Sequence, residues 1–217
     1  MKDIIDLRQY LLLGKSLKVC VLDNNSIELL SRVKISPEKI FNQYDIILIP
    51  GWVWVEVSES DNRINYINSL KEYSNVQIIN EFEYLIVVDY KEALLYYLFR
   101  NCCENVSRLI SFLKRDILKN RPIEDLEPYE EWLNIFYNEG LVYKGPIDKK
   151  IKRSNAGEIS ISVLSYIFSY FYSKHINTIT IFSNDRDAYE YVTKAKEGLN
   201  KNEFFKDKRH IPITFKS

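Results

Sequence analysis

"TITIFSNDRDAYEYV", residues 178–192, holds the junction on which the fold turns. Thr178 to Phe182 are all β-branched or aromatic, the pattern of a short buried strand. A polar knot, Ser183-Asn184-Asp185-Arg186-Asp187, follows at once, and apolar residues then return at helical spacing. A strand that runs through a few oxygen-bearing side chains straight into a helix is the unit from which parallel α/β sheets are assembled. Two readings of the knot compete: a helix start with Asp185 or Asp187 as N-cap, or one wall of a metal site.

The same unit recurs upstream. "LKVCVL" (17–22) reads as a strand and "NSIELLSRV" (25–33) as a helix. "YDIILIP" (44–50) is a second strand, ended by Pro50-Gly51. "WVWVEVSES" (52–60) reads as a helix start, because the next parallel strand needs a crossover. "RINYINSLKEY" (63–73) is an amphipathic helix and "NVQIIN" (75–80) a third strand. "AGEISISVLSYIFSYFYSKH" (156–175) is a long apolar helix leading to the fourth strand, "TITIF", and "IPITF" (211–215) is a fifth. Between strands three and four, residues 81 to about 120 predict two helices meeting near Asn101-Cys102-Cys103. "EPYEEWLNIFYNEG" (127–140) predicts another, closed by Gly140. Residues 144–153 read as a polar, basic loop. The expectation is an α/β fold of three layers, α/β/α, around a central, mostly parallel five-stranded sheet. It forms a single domain over 1–217, with a helical insertion or cap at about 81–140.

Composition bounds the possibilities. With 217 residues, 46% of them hydrophobic, the chain has enough apolar material for one well-buried domain. Thirty basic and thirty acidic side chains cancel, so contact with a nucleic acid must come from a local patch and not from bulk charge. Three cysteines with no C-x-x-C spacing fit reduced thiols in a cytoplasmic protein. The N-terminal "MKDIIDLRQYLLLG" carries too much charge for a signal peptide, and the apolar run 82–99 is too charged for a membrane span. "LLLGKS" (11–16) lacks the upstream glycine of a phosphate-binding loop and precedes a strand instead of following one.

Four acids fall where a parallel sheet brings chain segments together. Asp23 follows strand one, Glu56 follows strand two, Glu158 opens the helix before strand four, and Asp185 follows strand four, with Asp187 close by. Each has a local alternative: Asp23 as a helix cap, Glu56 as a solvated residue, Glu158 as the partner of Asn155 in a capping box, and Asp185 or Asp187 as an N-cap. Together they would repel strongly in one cleft, a cost that hard, oxygen-seeking dications offset.

In this order, "VCVLDNNSI", "IPGWVWVEV", "NAGEISISVLSYI" and "TIFSNDRDA" resemble the PIN-domain family, which includes toxin-type ribonucleases. The resemblance implies a metal-dependent endoribonuclease acting on an RNA substrate, as a toxin or phage-defence effector, with a possible antitoxin or inhibitor protein and a possible homodimer. It assigns Asp23, Glu56, Glu158 and Asp185 as catalytic. Asp23, Glu158, Asp185 and Asp187 would hold Mg²⁺ or Mn²⁺, and Ser183 and Asn184 would support them. Gly157-Glu158 stands where many relatives place an Asp, and Ser183 replaces the usual Thr. Lys144, Lys149, Lys150, Lys152 and Arg153 form a basic stretch running into Glu158, suited to a phosphate backbone. The competing reading is a PIN-like scaffold with weak or no activity, working through protein contacts. A phosphatase of the haloacid-dehalogenase type would need D-x-D where this chain has Asp23-Asn24-Asn25.

Overall fold

Strands that are apolar on both faces need cover on both faces, and parallel pairing supplies it through helical crossovers. The computed structural model describes residues 3–33, 36–103, 122–147 and 150–216. Its elements are α1 (Ile4–Leu13), β1 (Leu17–Leu22), α2 (Asn24–Val33), α3 (Pro37–Phe41), β2 (Ile46–Pro50), α4 (Gly51–Val57), α5 (Asp61–Lys71) and β3 (Val76–Ile79). There follow α6 (Tyr84–Val87), α7 (Glu92–Cys103), α8 (Tyr129–Ile135), β4 (Tyr143–Ile147), β5 (Lys150–Arg153), α9 (Ala156–Phe171), β6 (Ile176–Phe182), α10 (Arg186–Lys201) and β7 (Ile213–Lys216).

The five expected strands form one sheet in the order β3-β2-β1-β6-β7, and every pairing is parallel. Val19, Cys20, Val21 and Leu22 of the central β1 are fully buried, as a strand covered on both sides requires. The chain winds outward from β1 to β3, then returns past β1 to β6 and β7. Right-handed crossovers running in opposite directions put their helices on opposite faces. Accordingly α2, α3 and α5 pack together, while α7, α9 and α10 pack together with α9 lying on β1, β2 and β6. Strand order therefore reverses between β1 and β6. That reversal opens a crevice at their carboxyl ends, the usual ligand position in such sheets.

The inserted segment shares the core and does not form a separate body. Phe99 of α7 is fully buried, with its ring 6.2 Å from Trp52 of α4, 5.4 Å from Trp132 of α8 and 5.4 Å from Phe136. The long helix α9 is buried nearly all round because it faces the sheet, α4, α7 and α10 at once. Its buried serines keep those approaches close. Ser169 donates to the Ile211 carbonyl at 2.6 Å, and Ser162 meets Cys102 at 3.2 Å. The three cysteines are free and buried. Among the described residues, no helix is long and apolar enough to cross a membrane.

Three local expectations are corrected. The helix break after strand three lies at Asp89-Tyr90, both with left-handed backbone (φ 59° each), and Asn101-Cys102-Cys103 continue α7. No Gly or Pro marks that break in the sequence. Asp tolerates the left-handed region, and the Asp89 carboxylate pairs with Arg8 of α1. Residues 143–153 contain an antiparallel hairpin, β4 with β5, in place of a loop. Its strands are too polar to show the alternation of a half-buried strand. The helical stretch beyond Cys103 and Lys149 of the basic stretch lie outside the described residues.

Because Phe99 ties the insertion to the sheet's own helices, Phe99→Ala should cost about 3–5 kcal/mol and leave a single cooperative transition. Urea unfolding followed by tryptophan fluorescence and by circular dichroism tests this. Two separated transitions, or a loss below about 1 kcal/mol, would show that the insertion packs independently.

Candidate functional site

The crevice between β1 and β6 receives the predicted acids because each sits just past a strand or in the first turns of a helix that begins there. Asp23 extends β1: its backbone N–H donates to the Phe182 carbonyl at 3.1 Å, carrying the ladder one residue beyond both strands. Its side chain is 8% exposed. Ser183, the first residue past β6, donates its hydroxyl hydrogen to Asp23 Oδ2 at 2.6 Å and accepts from the Asp185 N–H at 3.0 Å. The hydroxyl thus locks the two loop ends together across the switch point.

Asp185 is also the N-cap of α10, accepting from the Asp187 N–H at 2.8 Å through Oδ1, while Oδ2 accepts from Asn25 at 3.0 Å. Both readings of the polar knot therefore hold together. Asp187 contributes its backbone to that cap and its carboxylate is exposed. Asn184 is exposed as well.

Glu56 and Glu158 are brought in by α4 packing on α9, where Gly157 would place a Cβ only 3.5 Å from Val53. Glu56 accepts from Asn24 at 3.2 Å and pairs with Lys152 of β5 at 3.2 Å. The predicted capping box at Glu158 is not formed. Asn155 is the N-cap residue of α9 but has left-handed backbone (φ 62°) and no side-chain capping bond; its amide donates instead to the Tyr191 hydroxyl at 2.8 Å. Asn is among the few residues at ease there, and the amide is drawn to α10.

The acids act on one another. Burial pushes the Asp23 carboxyl up to about 6, and Asp185 and Glu56 add to the rise, while Ser183 and the Asn24 N–H oppose it. Burial likewise pushes Glu158 up to about 7, helped by Asp23 and Glu56, and opposed by its own backbone N–H and Lys144. Desolvation thus dominates, with like-charge repulsion second. Among the described residues, no three acidic, histidine or cysteine side chains form a ready-made metal cage.

The basic stretch divides. Lys152 enters the acid cluster, Lys144 is exposed near Glu158, and Arg153 sits over the exposed Tyr143 ring at 5.4 Å while donating to the Leu141 carbonyl at 3.3 Å. Lys150 lies in β5.

Several site residues were not singled out from the sequence. Asn24 donates to Glu56 and accepts from Arg63 Nη1 at 2.8 Å, so Arg63 orients an acid it does not touch. Arg63 is 8% exposed and shares the α5 stripe with Tyr66, Ile67 and Leu70, a helical spacing that marks it as inward-facing. Tyr191 stands one turn beyond Asp187 on α10. Burial raises its hydroxyl to about 12, with Glu158, Asp187 and Asp185 adding to the shift.

Glu81 is the other omission. It follows β3 as Asp23 follows β1, yet it is 1% exposed and turned into the core. Its Oε1 accepts from the Trp52 N–H at 2.9 Å and from the Ser160 hydroxyl, joining the start of α4 to α9. Its Oε2 has no hydrogen-bond partner and lies where a Cβ on Gly51 would come within 2.6 Å. Gly51 is thus required by the close approach of this carboxyl. Glu81 positions the helices that carry Glu56 and Glu158.

Comparison with protein-family models, curated proteins and solved structures finds no match to this chain.

Burial raises the Glu81 carboxyl from 4.5 to about 7. A raised carboxyl means that the folded state keeps a proton the unfolded chain releases. The associated stability is complete below about pH 4.5, falls as pH rises to about 7, and amounts to roughly 3 kcal/mol. Glu81→Gln should remove this decline. Urea unfolding of both proteins at about pH 5 and pH 8 measures it, and parallel losses in the two proteins would refute a buried, protonated Glu81.

Proposed function

We propose that this chain is a metal-dependent nuclease that hydrolyses RNA phosphodiester bonds, as its resemblance to PIN domains implies. The observation that carries the reading is the meeting of Asp23, Glu56, Glu158 and Asp185 at the β1/β6 switch point, with Asp23 and Glu158 both held above the carboxylate range. Carboxylates forced together at the cost of raised pKa values favour a cation that offsets their charge. The donor set is all oxygen, which suits Mg²⁺ or Mn²⁺ and not a thiolate- or imidazole-seeking ion.

Asp23, Glu158 and Asp185 are the residues that would hold the ion, with Asp187 within the same loop. Such an ion supplies charge stabilisation and an activated water for phosphoryl hydrolysis. The chain's own groups have separate tasks. Ser183 fixes the rotamer of Asp23 through its 2.6 Å hydrogen bond, and Asn25 fixes that of Asp185. Orientation of ligands by such neighbours typically matters 10–100-fold. The β4–β5 hairpin presents Lys144 and the Arg153–Tyr143 pair beside the acids. Tyr143, 54% exposed, offers a face on which a base can stack, and the cations track a phosphate backbone.

Cleavage of a labelled single-stranded RNA with Mn²⁺ tests the reading. Asp23→Asn and Asp185→Asn should each lower the rate about 100-fold or more, and Ser183→Ala about 10-fold. Equal rates in wild type and both Asn variants, or no metal dependence, would refute it.

A further inference from the structure

The four acids are not equivalent. Among the described residues, no Lys or Arg pairs with Asp23, Glu158 or Asp185, whose close partners are neutral donors: Ser183, Asn25 and backbone N–H groups. Glu56 differs. Its Oε1 lies 3.2 Å from the Lys152 ammonium, and its Oε2 accepts from Asn24 at 3.2 Å. The same ammonium is 4.0 Å from Glu59, which is held by Arg63 at 3.4 Å, and Arg63 is 3.7 Å from Glu28. Glu56 thus belongs to a run of alternating charges, Lys152–Glu59–Arg63–Glu28, that crosses from the hairpin to α2 and α5.

We infer that Lys152 serves as a built-in cation of the acid cluster, removing Glu56 from the ligand set, so that the site takes a single divalent ion on Asp23, Glu158 and Asp185. The inference rests on the nuclease reading and adds to it a stoichiometry and a role for Glu56. Two-metal sites use a shared carboxylate to bring two ions within about 4 Å. Here the acid available for a second ion is already occupied by a monovalent charge of the protein's own. A second dication near Glu56 would have to displace that ammonium or sit against it. Repulsion between a dication and an ammonium several ångströms apart is large at the dielectric of a protein surface. Glu56 becomes a positioning residue that docks the hairpin onto α4 and sets Lys152 beside the metal ligands, where its charge also faces an incoming phosphate.

Isothermal titration of the full chain with MnCl₂ tests this, with Mn²⁺ electron paramagnetic resonance as a second readout of bound ions. Wild type should bind one ion. Lys152→Met should bind a second ion, or the first about tenfold more tightly, while Lys152→Arg should behave as wild type. Glu56→Gln should keep the single ion. Two ions in wild type, loss of the ion in Glu56→Gln, or unchanged stoichiometry and affinity in Lys152→Met would overturn the inference while leaving a metal-dependent nuclease intact. No Mn²⁺ binding by wild type or by Lys152→Met would overturn the nuclease reading itself, and the inference with it.

Discussion

A parallel sheet sends every strand out at the same edge, and in this chain that edge collects carboxylates. Their mutual repulsion, strengthened by desolvation, is the interaction to which the rest of the site answers. Asp23 is nearly buried at the central strand's end, and its neighbours Asp185 and Glu56 make its ionisation harder. The protein does not relieve this with a matching set of arginines. It supplies neutral donors to Asp23 and Asp185 and one ammonium to Glu56. A cluster left with this much uncompensated charge weakens the fold near neutral pH, since a buried carboxylate without a counter-charge opposes the native state. Such a cost is commonly met at functional sites, where perturbed carboxyls concentrate.

The insertion between β3 and β6 fits the same logic at the level of packing. Helices α7 and α8 bring aromatic side chains against Trp52, which precedes Glu56 on α4. Stacking of Trp52 on Phe136, with ring centroids 6.0 Å apart, fixes the face that α4 turns to the crevice. The serine-studded α9 then lies close enough to α4 for Glu158 to meet Glu56. The inserted helices thereby support the site from behind.

How much of this was legible follows from which signals are local. The strands read well because β-branched runs such as "TITIF" and "YDIILIP" announce themselves within a few residues. Their all-parallel pairing follows from the helical segments between them. The convergence of Asp23, Glu158 and Asp185 was legible for the same reason, since position at a strand's end is a one-dimensional property. What escaped was set by tertiary context. The hairpin's strands, "YKGPI" and "KIKR", alternate too little apolar character to register. The break at Asp89-Tyr90 depends on two left-handed residues and a carboxylate anchored by Arg8, in a stretch whose apolar spacing runs on undisturbed. Arg63 was visible in principle, since it occupies an apolar slot of an amphipathic helix. Its meaning appears only when Asn24, far away in sequence, reaches it.

Glu81 shows why a strand-end acid is not by itself a site residue. It shares with Asp23 the position just past a parallel strand and the elevation caused by burial. The two diverge in what surrounds them. Asp23 faces other carboxylates across the β1/β6 reversal, where the sheet's topology leaves a crevice. Glu81 lies beyond β3, away from that reversal, and its surroundings are the Trp52 N–H, Ser160, Tyr84 and the backbone of Gly51. No second carboxylate raises it, so no cation is called for; a proton suffices. One edge of one sheet therefore produces two outcomes from the same residue class, a neutral strut where the neighbours are donors and apolar rings, and a charged cluster where the neighbours are more carboxylates.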